Sequence, residues 1–354
     1  MASAIEYAIL STRTYPRTQK NITNLPEGWV ELVKSTNNSI TGFSASAYQK
    51  GTEIVIAYTG TNETKIGDTV FANYPAFVGN FAPQVLEAIL FFLEIEKQYA
   101  NGVNTVSFTG HSLGGGLASL MGMFFDRQAT AFDPAPFQAT LRNSNTLMEY
   151  QEWLKKINVD DKRFNDLISD IPGVGRDIYS ERSAGIFYYY LQGEFLNALR
   201  FSTTNIGTLW WPVGEGKQST SGLTTAFDLH SMSLLTALLK SEKLEEMGSK
   251  VDDSFAPFFD SKMYAKDPAT SQDVNFLDKL LNAQIGNLAE GVQPIMLLDK
   301  YATDILKLQG YKGVAQTKLL KELFAVAGDY YYNKENSAIT KVFTVPLCQT
   351  SCRL

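Results

Sequence analysis

Cysteine is nearly absent from this 354-residue chain, and the two that occur, Cys348 and Cys352, lie close together near its C-terminal end. A core stapled by disulfides is therefore excluded, and the pair is expected to be two thiols on a frayed tail. Histidine is equally scarce, with only His111 and His230. Two histidines and two cysteines scattered along the chain are too few for a zinc site, so no metal is expected. No Asp-x-Asp-x-Asp-Gly loop or glycine-rich calcium repeat occurs, and calcium is not expected either. Basic charge is not in excess: 31 Lys and Arg face 37 Asp and Glu, a formal net charge of −6. That balance gives no electrostatic case for nucleic acid, nor for attachment to anionic lipid by charge alone. No apolar run is long enough to span a bilayer. The opening Met1-Ala2-Ser3-Ala4-Ile5-Glu6-Tyr7 lacks a basic region followed by an apolar one, so no secretory signal is expected. The expectation is a cytoplasmic protein or one exported by a signal-independent route.

What is present is globular: 44% of residues are hydrophobic and 19% charged, which excludes a disordered chain. Residues 43–48 alternate, 53–58 form a β-branched run, and Lys50-Gly51 lies between them, which predicts a hairpin. From Pro83 to Ala100 the apolar positions Val85, Ile89, Phe92 and Leu93 recur at helical spacing. A strand at 105–109 and a helical run at 117–125 follow, then a strand at 129–132 and another at 186–191. Alternating strands and helices predict a mostly parallel sheet with helices on both faces. Residues 138–183 interrupt the rhythm and read as an insertion, a candidate lid. Residues 205–226 read as loop with one short strand around Trp210-Trp211-Pro212, and Met232, Leu235, Leu238 and Leu239 mark a helix. Beyond about residue 250 the segments 274–285, 293–309 and 315–332 look helical. The expected organisation is a domain over 1–249 with a helical extension over 250–354.

The chemistry concentrates at Thr109-Gly110-His111-Ser112-Leu113-Gly114-Gly115. The Gly-x-Ser-x-Gly core lies between an apolar strand and a helix-forming run, the context of a nucleophile elbow. No Gly-Lys-Ser/Thr follows, which excludes a phosphate loop. A serine hydroxyl needs a base within hydrogen-bond reach, and the base needs an acid to orient it. His111, beside Ser112 in the turn, is expected to point away and act structurally, which leaves His230 as base. Chain order of nucleophile, acid, then base favours Glu194, just after the strand 186–191. Asp133, after the strand 129–132, is the alternative acid, and Asp228 a third. The oxyanion hole is expected from the backbone N–H of Leu113 and the loop Gly60-Thr61, with the Thr61 hydroxyl as an added donor. No cofactor is needed.

Val55-Ile56-Ala57-Tyr58-Thr59-Gly60-Thr61, Asp68 and Gly110-His111-Ser112-Leu113-Gly114-Gly115 together resemble the class 3 lipase family. The resemblance covers residues 40–135 closely and 186–240 loosely. It implies an α/β-hydrolase fold and hydrolysis of acylglycerols or phospholipids by a serine, histidine and acid triad. Ser112 takes the nucleophile position, His230 the base position and Thr61 the oxyanion position. Glu194 falls where the family has an aspartate, and Thr59 where it usually has arginine. Segments 138–183 and 250–354 resemble bacterial phospholipase A1-type relatives. The implied partner is a lipid ester at a membrane or micelle interface, where Trp210 and Trp211 would touch lipid. An acyltransferase on the same fold, or a degenerate hydrolase used as a membrane- or protein-binding module, are the alternatives.

Overall fold

The computed structural model describes residues 1–15, 24–35, 38, 40–60, 82–100, 102, 104–170, 177–196, 209–215, 226, 229–250, 277, 281 and 294–307. Its centre is a seven-stranded sheet whose spatial order follows the chain: β1 (Val30–Lys34), β2 (Ala45–Lys50), β3 (Glu53–Tyr58), β4 (Thr105–His111), β5 (Ala129–Phe132), β6 (Ile186–Gln192) and β7 (Leu209–Glu215). The first three strands pair antiparallel, and β3 to β7 pair parallel. The hairpin predicted at Lys50-Gly51 is present. Gly51 adopts a φ of 58° at its turn, and the ladder it sets pairs Lys50 with Glu53 and Ala45 with Tyr58. That register moves the first strand of the pair to 45–50, two residues later than its alternation suggested. Pro212, which cannot donate to a ladder, lies in β7 at the edge of the sheet.

Serial strand order dictates what covers each face. Right-handed crossovers that always advance in one direction deposit their helices on one side. That side carries α2 (Pro83–Tyr99), α3 (Leu113–Phe125) and the β5–β6 crossover helices α4 (Gln138–Arg142), α5 (Ser144–Lys156), α6 (Lys162–Ser169) and α7 (Ile178–Ser183). The other side must be closed by elements outside the crossovers. It is closed by α1 (Ala4–Thr14) and by α8 (Met232–Lys240), α9 (Glu242–Lys250) and α10 (Pro294–Lys307). Strand β3 shows the division residue by residue: Ile54, Ile56 and Tyr58 pack into the first layer, Val55 and Ala57 into the second. A strand buried on both faces reads as a continuous apolar run, which is what 53–58 is.

The described residues of 138–183 pack against the first layer. Tyr150, Leu154, Phe164 and Leu167 are buried there, and the Phe164 ring meets Phe124 edge-on at 4.9 Å. Within 250–354, Leu298, Tyr301 and Ala302 of α10 and Leu277 are buried in the second layer, and Leu281 is buried as well. The expected helix at 315–332 lies outside the described residues.

Arg163 joins α6 to α2. Its guanidinium donates to both oxygens of Glu96 at 2.7 Å and to Asp161 at 2.6 Å, and lies over the rings of Phe92 and Phe125 at 5.4 and 5.3 Å. Burial pushes the Glu96 and Asp161 carboxyls up, but the guanidinium outweighs it and holds both below their usual range. Depressed folded-state values stabilise the protein above the unfolded values and are lost as pH falls through the folded ones. Unfolded carboxylates titrate near about 4, so the urea midpoint is expected to fall on acidification below about pH 4. Arg163→Leu removes the bidentate partner of two half-buried carboxylates, leaving Glu96 with Arg127 and Asp161 with backbone N–H groups, and is expected to cost about 1–3 kcal/mol at neutral pH. Its acid loss should be shallower than that of the wild type. Parallel pH profiles for the two proteins would contradict this reading.

Candidate active site

Strand β4 ends at His111, and the chain then reverses at Ser112 into α3. Ser112 has φ 57° and ψ −124°, a conformation that L-residues adopt only under constraint. The constraint is visible in its backbone partners. The Ser112 N–H donates to the Phe132 carbonyl at 3.0 Å, and its own carbonyl accepts from Ala135 at 2.9 Å and Gly116 at 3.1 Å. The flanking glycines are needed for space. A Cβ on Gly110 would collide with the Gly114 carbonyl, and one on Gly114 with the Tyr58 carbonyl. Leu113 holds the first position of α3, so its N–H belongs to the donors a helix leaves without intrahelical partners, at the positive end of the dipole.

Gly60 follows β3 and lies against the elbow. A Cβ there would sit 2.6 Å from the Tyr15 hydroxyl, 2.7 Å from the His111 carbonyl and 3.1 Å from Ser112 Cβ. The preceding Thr59 ties this loop back to β2, its N–H and hydroxyl both donating to the Ser44 carbonyl at 3.0 and 2.9 Å. Thr61 and Asp68 lie outside the described residues. Gly60→Ala is expected to displace this loop and lower ester turnover by about 10²–10³, the scale of one lost oxyanion donor. Fold stability should change far less, and retention of turnover within threefold would contradict the reading.

His230 comes just before α8, whose N-cap is Ser231. The ring is fully buried, and its Nδ1–H donates to Glu194 Oε2 at 2.7 Å. Glu194 is buried too, in the turn after β6 that Gly193 makes with φ 92°. The same Oε2 accepts the Leu196 N–H at 2.8 Å, which fixes the carboxylate toward the ring. Phe195, the next residue, lies edge-on to the His230 imidazole at 4.5 Å, and its N–H donates to Ala226 in the segment before His230. Glu194 and His230 are thus brought together, in the order the sequence suggested.

Asp133 is equally buried but differently engaged. It adopts φ 40° after β5, and its Oδ1 accepts the Leu191 N–H at 2.9 Å. It groups with His111 and His230, the three offering ligand atoms within 4.8 Å of one another. Asp228 lies outside the described residues. Trp210 and Trp211 are in β7, opposite Tyr188 and Tyr189.

His111 differs from expectation. Its imidazole does not turn away from the site but lies 4.6 Å from that of His230. The cause is strand alternation. Val106 and Phe108 face the first layer, so Ser107, Thr109 and His111 face α1 on the other side. There they meet Tyr7, Ser11 and Tyr15 at 2.9, 2.8 and 2.7 Å. Four residues of helix advance about 6 Å and two of strand about 6.6 Å, so the two repeats stay in step over three bonds. The two histidines, remote in sequence, thus lie side by side. His111 ends β4, Asp133 follows its parallel neighbour β5, and His230 comes from the loop before α8. The sequence reading missed α1, although Ser3 and Glu6 form a capping box at its start.

A mainly parallel sheet, a strained serine between strand and helix, and a buried histidine–carboxylate pair on later loops define an α/β-hydrolase fold. The chain belongs to the Tle-like phospholipase domain family, whose phospholipase-like model matches residues 6–212. This membership bears out the kinship with lipases read from the motifs. No curated protein sequence matches the chain. Among solved structures it is similar to a native Rhizomucor miehei lipase propeptide complex, with 15% identity, coverage of 54% of this chain and 60% of that one, and a TM-score of 0.31. The chain therefore spans about 60% of the length of that lipase. A mutant form of MDLA from Penicillium cyclopium matches with 13% identity, coverage of 62% and 81%, and a TM-score of 0.33. M37 lipase matches with 14% identity, coverage of 67% and 92%, and a TM-score of 0.37.

Proposed function

We propose that this chain hydrolyses carboxylic esters of lipids, phospholipids foremost, through Ser112, His230 and Glu194. The observation that carries the reading is the 2.7 Å bond from His230 Nδ1 to buried Glu194, with the His230 ring 4.6 Å from that of His111, the residue preceding a serine held at positive φ on a helix N-terminus. With Nδ1–H committed to the carboxylate, the basic lone pair of His230 is on Nε2. Nε2 takes the Ser112 proton as Oγ attacks the acyl carbonyl. The N–H of Leu113 and the Gly60-Thr61 loop receive the oxyanion. The tetrahedral species expels the alcohol, lysophospholipid or diacylglycerol, which takes the proton back from His230. A water then gives a proton to Nε2 as it attacks the acyl-enzyme, and collapse of this second tetrahedral species releases the fatty acid and returns the proton to Ser112 Oγ. Glu194 remains ionised and stabilises the imidazolium formed in each half-reaction.

Phospholipid is placed first because the matched family is a phospholipase one. The experiment is quantification of fatty acid and lysophospholipid from mixed vesicles of phosphatidylcholine, phosphatidylethanolamine and triacylglycerol. Equimolar release of the two products is expected. Acyl transfer to glycerol in place of fatty acid release would favour the acyltransferase alternative.

A further inference from the structure

The mechanism above uses one of the two imidazoles and one of the two buried carboxylates at the strand tips. We propose that His111, Asp133 and His230 form a binding site for a divalent transition-metal ion of the zinc type, and that its occupation switches the hydrolase off. The inference rests on the proposed role of His230, since it concerns the same atom, Nε2.

The residue types fit zinc. Two imidazoles and one carboxylate make a borderline nitrogen–oxygen set, which zinc takes readily and which calcium and magnesium, preferring all-oxygen shells, do not. The geometry fits as well. The three ligand atoms lie within 4.8 Å of one another, all on fully or almost fully buried residues. A tetrahedral ion bound at about 2.0–2.1 Å spaces its donors about 3.4 Å apart, inside that limit.

Outer contacts are the stronger argument. Metal-binding histidines have their second ring nitrogen held by a carboxylate or another polar group, which fixes the ring. Both histidines here are so held. Nδ1 of His230 is on Glu194 at 2.7 Å, and Nδ1 of His111 is on the Tyr15 hydroxyl at 2.7 Å. The nitrogen each would give to an ion is therefore Nε2. The carboxylate is held in the same way, its Oδ1 accepting the Leu191 N–H at 2.9 Å. The unusual φ of 40° at Asp133 fits a carboxylate oriented by its surroundings.

An ion on Nε2 of His230 takes the lone pair that must receive the Ser112 proton. Zinc binding and ester turnover then exclude each other, and a chelator restores turnover. The Glu194 carboxylate that orients the base also strengthens it as a ligand.

Zinc content after equilibrium dialysis, measured on the full chain carrying Ser112→Ala, tests binding without relying on catalysis. One zinc per chain at micromolar zinc is expected, with calcium not retained. Asp133→Asn and His111→Gln, each added to Ser112→Ala, should weaken binding at least tenfold. Tyr15→Phe, which deletes only the hydroxyl beside Nδ1, should weaken it about tenfold. This milder variant decides the matter if either of the others fails to fold by circular dichroism. In the wild-type chain, zinc should slow fluorophosphonate labelling of Ser112, and a chelator should restore it. Substoichiometric zinc, affinity unchanged in the folded variants, or labelling or turnover raised by zinc would each overturn the proposal. Absent zinc binding with normal Ser112 labelling overturns the metal site and leaves the serine mechanism standing. Stoichiometric zinc on a chain whose Ser112 never labels does the reverse.

Discussion

Ser112→Ala is expected to lower kcat on phospholipid and short-chain esters by about 10⁴–10⁶, since loss of the nucleophile leaves only binding and the oxyanion donors. Folding should be little affected, because alanine meets the same backbone cost at φ 57° and ψ −124°. Ser112→Gly separates the two effects. Glycine occupies that region freely, so the variant should be as inactive as Ser112→Ala but more stable by roughly 1–3 kcal/mol. Activity and stability thus move in opposite directions at one position. Residual turnover within tenfold of wild type in either variant, or a Ser112→Gly chain less stable than wild type, would break the link between strain and chemistry.

The second large effect distinguishes the two buried carboxylates. Glu194→Gln removes the charge opposite His230 Nδ1 and, with its amide oxygen held by the Leu196 N–H, leaves only a neutral acceptor there. The imidazolium formed in each half-reaction then lacks its counter-charge. A loss of about 10³–10⁴ in kcat with little change in KM is expected. Asp133→Asn, in metal-free protein, keeps a side-chain oxygen that can accept from Leu191, and its loss should stay within about tenfold. Glu194→Asp, one methylene shorter, should fall between the two. If Asp133→Asn proves the more damaging change, the carboxylate that orients the base has been misassigned.

The elbow was legible in the sequence because its requirements are local. A sharp strand-to-helix reversal needs glycine on both sides of the serine, and Gly110 and Gly114 meet backbone carbonyls at those places. The buried strands were legible for a related reason, as 53–58 must be apolar on both faces to lie between two helical layers. Helix α1 was not, because its buried face carries Ser11, Thr12 and Thr14, which read as solvent-facing. They are buried because each has a hydroxyl partner, in Thr109, Thr236 and Tyr48. Those partners are supplied by the fold and leave no local pattern. The side taken by His111 follows from the phase of β4, which is fixed by Val106 and Phe108 facing the first layer and not by the turn that follows. Asp133 was weighed only as an acid for His230. Its grouping with both imidazoles depends on β4, β5 and the loop before α8 converging at one end of the sheet.

The most direct measurement of the central claim is covalent labelling by a fluorophosphonate probe, with the modified residue located by peptide mass spectrometry. It is run alongside fatty acid release from the mixed vesicles. The account predicts a single adduct on Ser112, loss of fatty acid release in proportion to labelling, and neither labelling nor release in His230→Ala. Undiminished ester hydrolysis in fully labelled protein, or an adduct on another residue that tracks the loss of activity, would contradict it.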